Sequence, residues 1–169
     1  MSAVRKTCME MIQQRGYSIE DDNSDEYIIM ATKQDGKRMC AILMDIHKFD
    51  VSRLKEYIGL MKELKVNHSI VVYKEKVTSK TKKTVENLDD IKIELFTDDE
   101  LRFNITKNAL VPVHNLLPKE ESKKFLIEYG TKFPVIRLSD PIARFYGYEK
   151  GDVVEIINTS GYISHCIVK

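Results

Sequence analysis

A chain of 169 residues, 43% hydrophobic and 31% charged, is long enough for one large or two small globular domains. No apolar run approaches the roughly 18 residues a membrane span requires, and the opening Met-Ser-Ala-Val-Arg-Lys shows no apolar signal region. A net charge of +1 excludes a bulk electrostatic drive towards nucleic acid or membrane. Cys8, Cys40 and Cys166, odd in number and widely spaced, read as buried thiols in a reducing compartment, cytosolic or nuclear.

The spacing of Val4, Cys8, Met11 and Ile12 predicts an amphipathic helix over Ala3–Gly16, with Gly16 as its stop. A polar loop, Asp21-Asp-Asn-Ser-Asp25, follows. Glu26–Thr32 and Arg38–Ile46 read as two strands joined through Asp35-Gly36, a hairpin signal. Met39–Met44 is almost wholly apolar, so the second strand is expected to be central and covered on both faces. Val51–Lys65 is the clearest helix, with Leu54, Ile58, Met61 and Leu64 on one stripe and Asp50 as its cap. Ser69–Tyr73 is a short apolar strand and Thr78–Asn87 a polar helix. Ile91–Phe96 is a further strand, with Ile91, Ile93 and Leu95 alternating against Lys92, Glu94 and Phe96. Strand alternating with helix is the grammar of an α/β layer with right-handed crossovers.

Phe103–Asn108 leads into a second domain, which places the boundary at Asn108 and gives domains 1–108 and 109–169. Lys119–Tyr129 is expected to be a helix with Phe125, Leu126 and Tyr129 facing inward, ended by Gly130. In Phe133–Gly147, Asp140 caps a short helix, Pro141 takes its first position, and Ile142, Phe145 and Tyr146 share one face. Gly147 supplies the left-handed stop. After the turn at Gly151-Asp152, Val153–Ile157 and Tyr162–Val168 are expected to form a hairpin within a small mixed sheet. The fold class is thus α+β, an α/β domain followed by a small α+β domain.

Charge is distributed unevenly. Lys74–Lys83 holds five lysines against one glutamate, and Glu86–Glu100 holds seven carboxylates against one lysine. No zinc or phosphate-loop spacing occurs, and His165 and Cys166, adjacent on a strand, point to opposite faces. Arg144 beside Phe145 and Tyr146 is a typical interface anchor.

Leu110-Val-Pro-Val-His114, Pro134-Val-Ile-Arg137, Asp140-Pro-Ile-Ala-Arg-Phe-Tyr-Gly147 and Gly151-Asp-Val-Val-Glu-Ile-Ile157 strongly resemble a known family. It is the fifth-largest subunit shared by the eukaryotic nuclear DNA-directed RNA polymerases, a family with an archaeal counterpart. The match covers the last 60 residues in order, and Val4–Tyr17 looks like the family's opening helix. The chain departs from the family at Ile157-Asn-Thr-Ser-Gly-Tyr162, which is shorter than the usual Arg-Pro-Ser-Glu-Thr-Ala-Gly-Arg-Tyr and lacks both arginines. It departs again at Leu117-Pro118, where the next helix starts without a Ser or Thr cap.

The resemblance implies a non-catalytic subunit with no cofactor, metal or small-molecule substrate of its own. Its N-terminal jaw would be a nuclease-like sheet with helices, lying near downstream duplex DNA. Its C-terminal domain would anchor it to the largest subunit, near a small subunit shared by all the polymerases. Arg137, Asp140, Pro141, Arg144 and Tyr146 are then the candidate partner-binding residues. Lys74, Lys76, Lys80, Lys82 and Lys83 are the candidate DNA-facing ones, through salt-sensitive phosphate contacts. A nuclear location follows, or a cytoplasmic or virion-associated one for a viral chain. The nuclease-like jaw raises one alternative, a divergent metal-dependent nuclease using Asp45, Asp90 and Lys92. A free-standing nucleic-acid-binding regulatory module is another.

Overall fold

The computed structural model describes residues 2–20, 26–43, 47–130 and 132–169. The polar loop expected at 21–25 and Asp45 lie outside the described residues. The chain divides into two compact units, Met1–Phe103 and Asn104–Lys169, so the boundary expected at Asn108 falls inside the second unit.

In the first unit, α1 (Ala3–Gln14) starts where the Ser2 hydroxyl accepts from the Arg5 N–H at 3.2 Å. It buries Cys8, Met11 and Ile12, with Val4 half-buried, and the chain turns at Gly16 with φ +82°. The strand β1 (Ser18–Ile19) pairs with β2 (Ile28–Thr32), which turns into β3 (Arg38–Leu43). That hairpin closes where the Lys33 N–H donates to the Lys37 carbonyl at 2.8 Å, with Gly36 in the left-handed region as Asp35-Gly36 signalled.

A short strand, β4 (Lys48–Phe49), leads to α2 (Val51–Glu63), whose cap is Asp50, accepting from the N–H groups of Ser52 and Arg53. Then come β5 (His68–Tyr73), β6 (Lys76–Val77), α3 (Ser79–Glu86) and β7 (Lys92–Thr97). The main sheet runs β1-β2-β3-β5-β7, with β3, β5 and β7 parallel. Met39, Cys40, Ala41 and Ile42 are all fully buried, as a central strand covered on both faces requires. One face packs Cys40, Ile42, Val71 and Ile93 with Leu54, Tyr57 and Met61 of α2. A separate two-stranded parallel ladder joins β4 to β6, and the sequence pattern did not signal it, because two-residue strands carry no periodicity.

The alternation expected of β7 fails on one side. Phe96 is buried and Glu94 engages in an internal ion pair, so both faces of the strand are covered.

The second unit opens with a single 3-10 turn, Ile105–Lys107, held by the Asn104 side chain. It continues through β8 (Val113–Leu116), α4 (Lys119–Tyr129), β9 (Val135–Ile136), α5 (Pro141–Tyr146), β10 (Val153–Ile157) and β11 (Ile163–Val168). Its sheet runs β8-β10-β11-β9; the β9–β11 pair is parallel and the others antiparallel, the mixed sheet expected. Val154, Cys166 and Val168 pack with Ala143 and Tyr148 on one face. On the other, Phe125 of α4 lies with its ring 4.4 Å from that of His165, so His165 and Cys166 do take opposite faces.

Tyr129 does not face inward; it is 59% exposed, its ring leaning on Phe125. The expected stripe on α5 also changes. Ala143 and Phe145 are buried, while Ile142 and Tyr146 are half-buried, because a six-residue helix is covered from more than one side. All three thiols are buried and free.

Candidate functional site

The strongest local signal, Asp140–Gly147, builds a small rigid corner. The Asp140 carboxylate accepts from the Ile142 N–H at 2.8 Å, and Pro141 occupies the first helical position, where no donor is lost. Gly147 ends α5 at φ 68°, ψ 35° and returns its N–H to the Arg144 carbonyl at 3.1 Å. Tyr146 stacks on Tyr148 with centroids 5.3 Å apart and planes 9° apart. Burial pushes the phenols of Tyr146 and Tyr148 up, so both stay neutral. The Tyr146 hydroxyl bonds to Thr106, and the Tyr148 hydroxyl donates to the His114 carbonyl at 3.5 Å. Both tyrosines therefore fasten the 104–116 segment to α5.

The five candidate partner-binding residues thus differ in role. Asp140 and Tyr146 hold the corner together, and Pro141 shapes it. Arg137 is exposed just beyond β9, and Arg144 is half-buried on α5. Around them stand exposed Leu138, Ser139 and Lys169, with the Leu138 N–H tied to the Lys169 carbonyl at 3.0 Å.

The five lysines gather on one part of the first unit. Lys74 follows β5, Lys76 lies on β6, and Lys80, Lys82 and Lys83 are on α3; all five are exposed. The helix turns Thr81 inward, where its hydroxyl lies 2.7 Å from that of the cap Thr78, and so sends the lysines outward. Lys48 joins them, directly opposite Lys76 in the β4–β6 ladder. Nothing local in the sequence marks it, since the pairing is made by two strands far apart in the chain. Like charges side by side repel, and an anion placed over both relieves that.

Asp90 and Lys92 are exposed, in the bend before β7 and at its first residue, and Asp45 is outside the described residues. Among the described residues, no three His, Cys, Asp or Glu side chains come together as a metal site.

Residues 103–168 match the family model for the C-terminal domain of RNA polymerase Rpb5. Across 93% of this chain and 89% of the relative, 33% of residues are identical to a protein of Dictyostelium discoideum named DNA-directed RNA polymerases I, II, and III subunit rpabc1. The chain belongs to the Rpb5 family of DNA-directed RNA polymerase subunits. The Caenorhabditis elegans subunit RPABC1 is 28% identical over 93% of this chain and 88% of its own length. A putative polymerase subunit of Invertebrate iridescent virus 6 is 42% identical over 55% of this chain and 56% of its own. The Rpb5 family is non-catalytic, the active site of the polymerase lying in other subunits. Membership therefore decides against the nuclease reading of Asp90 and Lys92.

Proposed function

We propose that this chain is an assembled, non-catalytic subunit of a multisubunit DNA-directed RNA polymerase. Residues 104–169 anchor it to the largest subunit, near a small shared subunit, and the first unit lies beside downstream duplex DNA. The observation that carries the reading is the likeness to rpabc1 along nearly the whole chain. The rigid α5 corner, with Arg137 and Arg144 along it, supports the anchoring role. The exposed lysines of β6 and α3, with Lys48, support a role for the first unit beside phosphates, auxiliary because the chain's net charge is only +1. The eukaryotic relatives favour a nuclear setting, and the iridovirus relative keeps a cytoplasmic one open for a viral chain.

Affinity purification of the full-length tagged chain from its source at moderate salt tests this. The large catalytic polymerase subunits should be recovered with it, and Arg144→Glu should reduce that recovery several-fold. A chain recovered alone, leaving the polymerase on a sizing column, supports a free-standing module instead.

A further inference from the structure

We propose that the outer edge of β8 is a strand-pairing site, at which an extended segment of a neighbouring polymerase subunit, apolar beside Val113 and Leu116, adds to the four-stranded sheet. That the guest belongs to a polymerase subunit rests on the reading above; the edge itself is a property of the fold.

Residues of an antiparallel strand direct their backbone groups alternately towards one neighbour and away from it. The Leu117 N–H donates to the Val153 carbonyl at 3.0 Å, and Val113 and Asn115 stand opposite Ile157 and Glu155. The odd-numbered residues of this segment therefore serve β10. Across β10, the Asn158 N–H donates to the Tyr162 carbonyl, which reserves its even-numbered groups for β11. His114 and Leu116 are left pointing outward from the last strand in the sheet order. Among the described residues neither N–H meets an acceptor, while the His114 carbonyl takes the Tyr148 hydroxyl.

Three features define what fits there. Pro112 and Pro118 fall in the same outward phase and lack an N–H, so the outward donors of this segment are those of His114 and Leu116 alone. Exposed edges are ordinarily blunted by charge, yet Ala109 to Pro118 contains no charged residue in a chain that is 31% charged. Finally, Val113, Ile157 and Ile163 form one row across β8, β10 and β11, with Val113 and Ile163 56% and 51% exposed. A strand added outside β8 lengthens that row by one position. The guest therefore needs an apolar residue beside Val113, and a second beside Leu116 on the opposite face, which is 50% exposed.

Hydrogen exchange tests the proposal, comparing the free full-length chain with purified polymerase that contains it. The His114 and Leu116 amides should exchange about tenfold more slowly, or slower still, in the assembled enzyme, while those of Val113 and Asn115, already paired, change little. Leu116→Pro removes the outward donor together with the leucine side chain and should lower incorporation in competition with wild type about tenfold; Leu116→Ala, which loses the side chain but keeps the N–H, should compete far better. Should Leu116→Pro melt earlier than wild type on its own, the wild-type exchange comparison alone decides. Unchanged His114 and Leu116 exchange, with the chain retained in the polymerase, overturns the edge pairing and leaves the subunit reading standing. A chain absent from the polymerase overturns both.

Discussion

Glu94 on β7 receives the guanidinium of Arg15, the C-terminal cap of α1, at 2.8 and 2.9 Å, and its Oε1 lies 2.6 Å from Nε2 of His68 on β5. Ala41, Ile70 and Glu94 share one side of the main sheet, the side opposite α2, so the ion pair fastens α1 over that face. Burial alone raises a carboxyl's pKa; here the His68 hydrogen bond and the Arg15 charge outweigh it and hold Glu94 down to about 2. The sign follows from a folded pKa below the unfolded one. The stabilisation is fully present above the unfolded value of about 4.5 and is lost as pH falls from there through about 2. Arg15, His68, Tyr17 with its edge against His68, and the buried Cys8 thiol of α1 are among the groups that face this site. Glu94→Gln removes the carboxylate that faces the buried Arg15 guanidinium and should cost about 3 kcal/mol at neutral pH. Denaturant unfolding from pH 2 to pH 7 should show wild type and variant converging at the acid end. Parallel curves across that range would show that Glu94 contributes no charge-dependent stability.

At the scale of elements, α4 is held by the buried Ser122 and the half-buried Phe125 and Leu126. It begins at Pro118 with no side-chain cap, its first turn closed by the Ser122 hydroxyl on the Leu117 carbonyl at 3.1 Å. Phe125 then joins it to the sheet, 4.4 Å from His165 and 5.0 Å from Phe133 between ring centroids. Phe125→Ala should destabilise the second unit by about 3 kcal/mol and speed amide exchange in α4 more than in β10 and β11. Uniform acceleration would mean that α4 does not open separately. The missing cap was legible in Leu117-Pro118, and so were Asp50, Asp140, Gly147 and the Asp35-Gly36 turn, because caps and turns are local chemistry. The central strand was legible from its unbroken apolar run. What stayed hidden is made by distant parts of the chain: the Arg15–Glu94–His68 cluster, the β4–β6 ladder that sets Lys48 beside Lys76, and the outward phase of His114 and Leu116. Tyr129 was misplaced because helical periodicity gives a face but not how far the sheet extends beneath it.

At the scale of the molecule, two units of different character share one chain. The first carries the exposed lysines, and the second carries the α5 corner and an uncharged edge. Lys76→Glu, Lys80→Glu and Lys83→Glu combined should leave incorporation into polymerase intact. The log–log salt slope of duplex binding by the assembled enzyme should fall by about 0.9 for each phosphate no longer neutralised. An unchanged slope would remove the lysines from the DNA path. Cross-linking mass spectrometry of polymerase purified through the tagged chain shows which unit anchors it to the enzyme. The expected result is that cross-links to the largest subunit concentrate in the second unit, through Lys119, Lys132, Lys150 and Lys169. Cross-links to that subunit made only through the lysines of the first unit, or a chain that leaves the polymerase altogether, would contradict it.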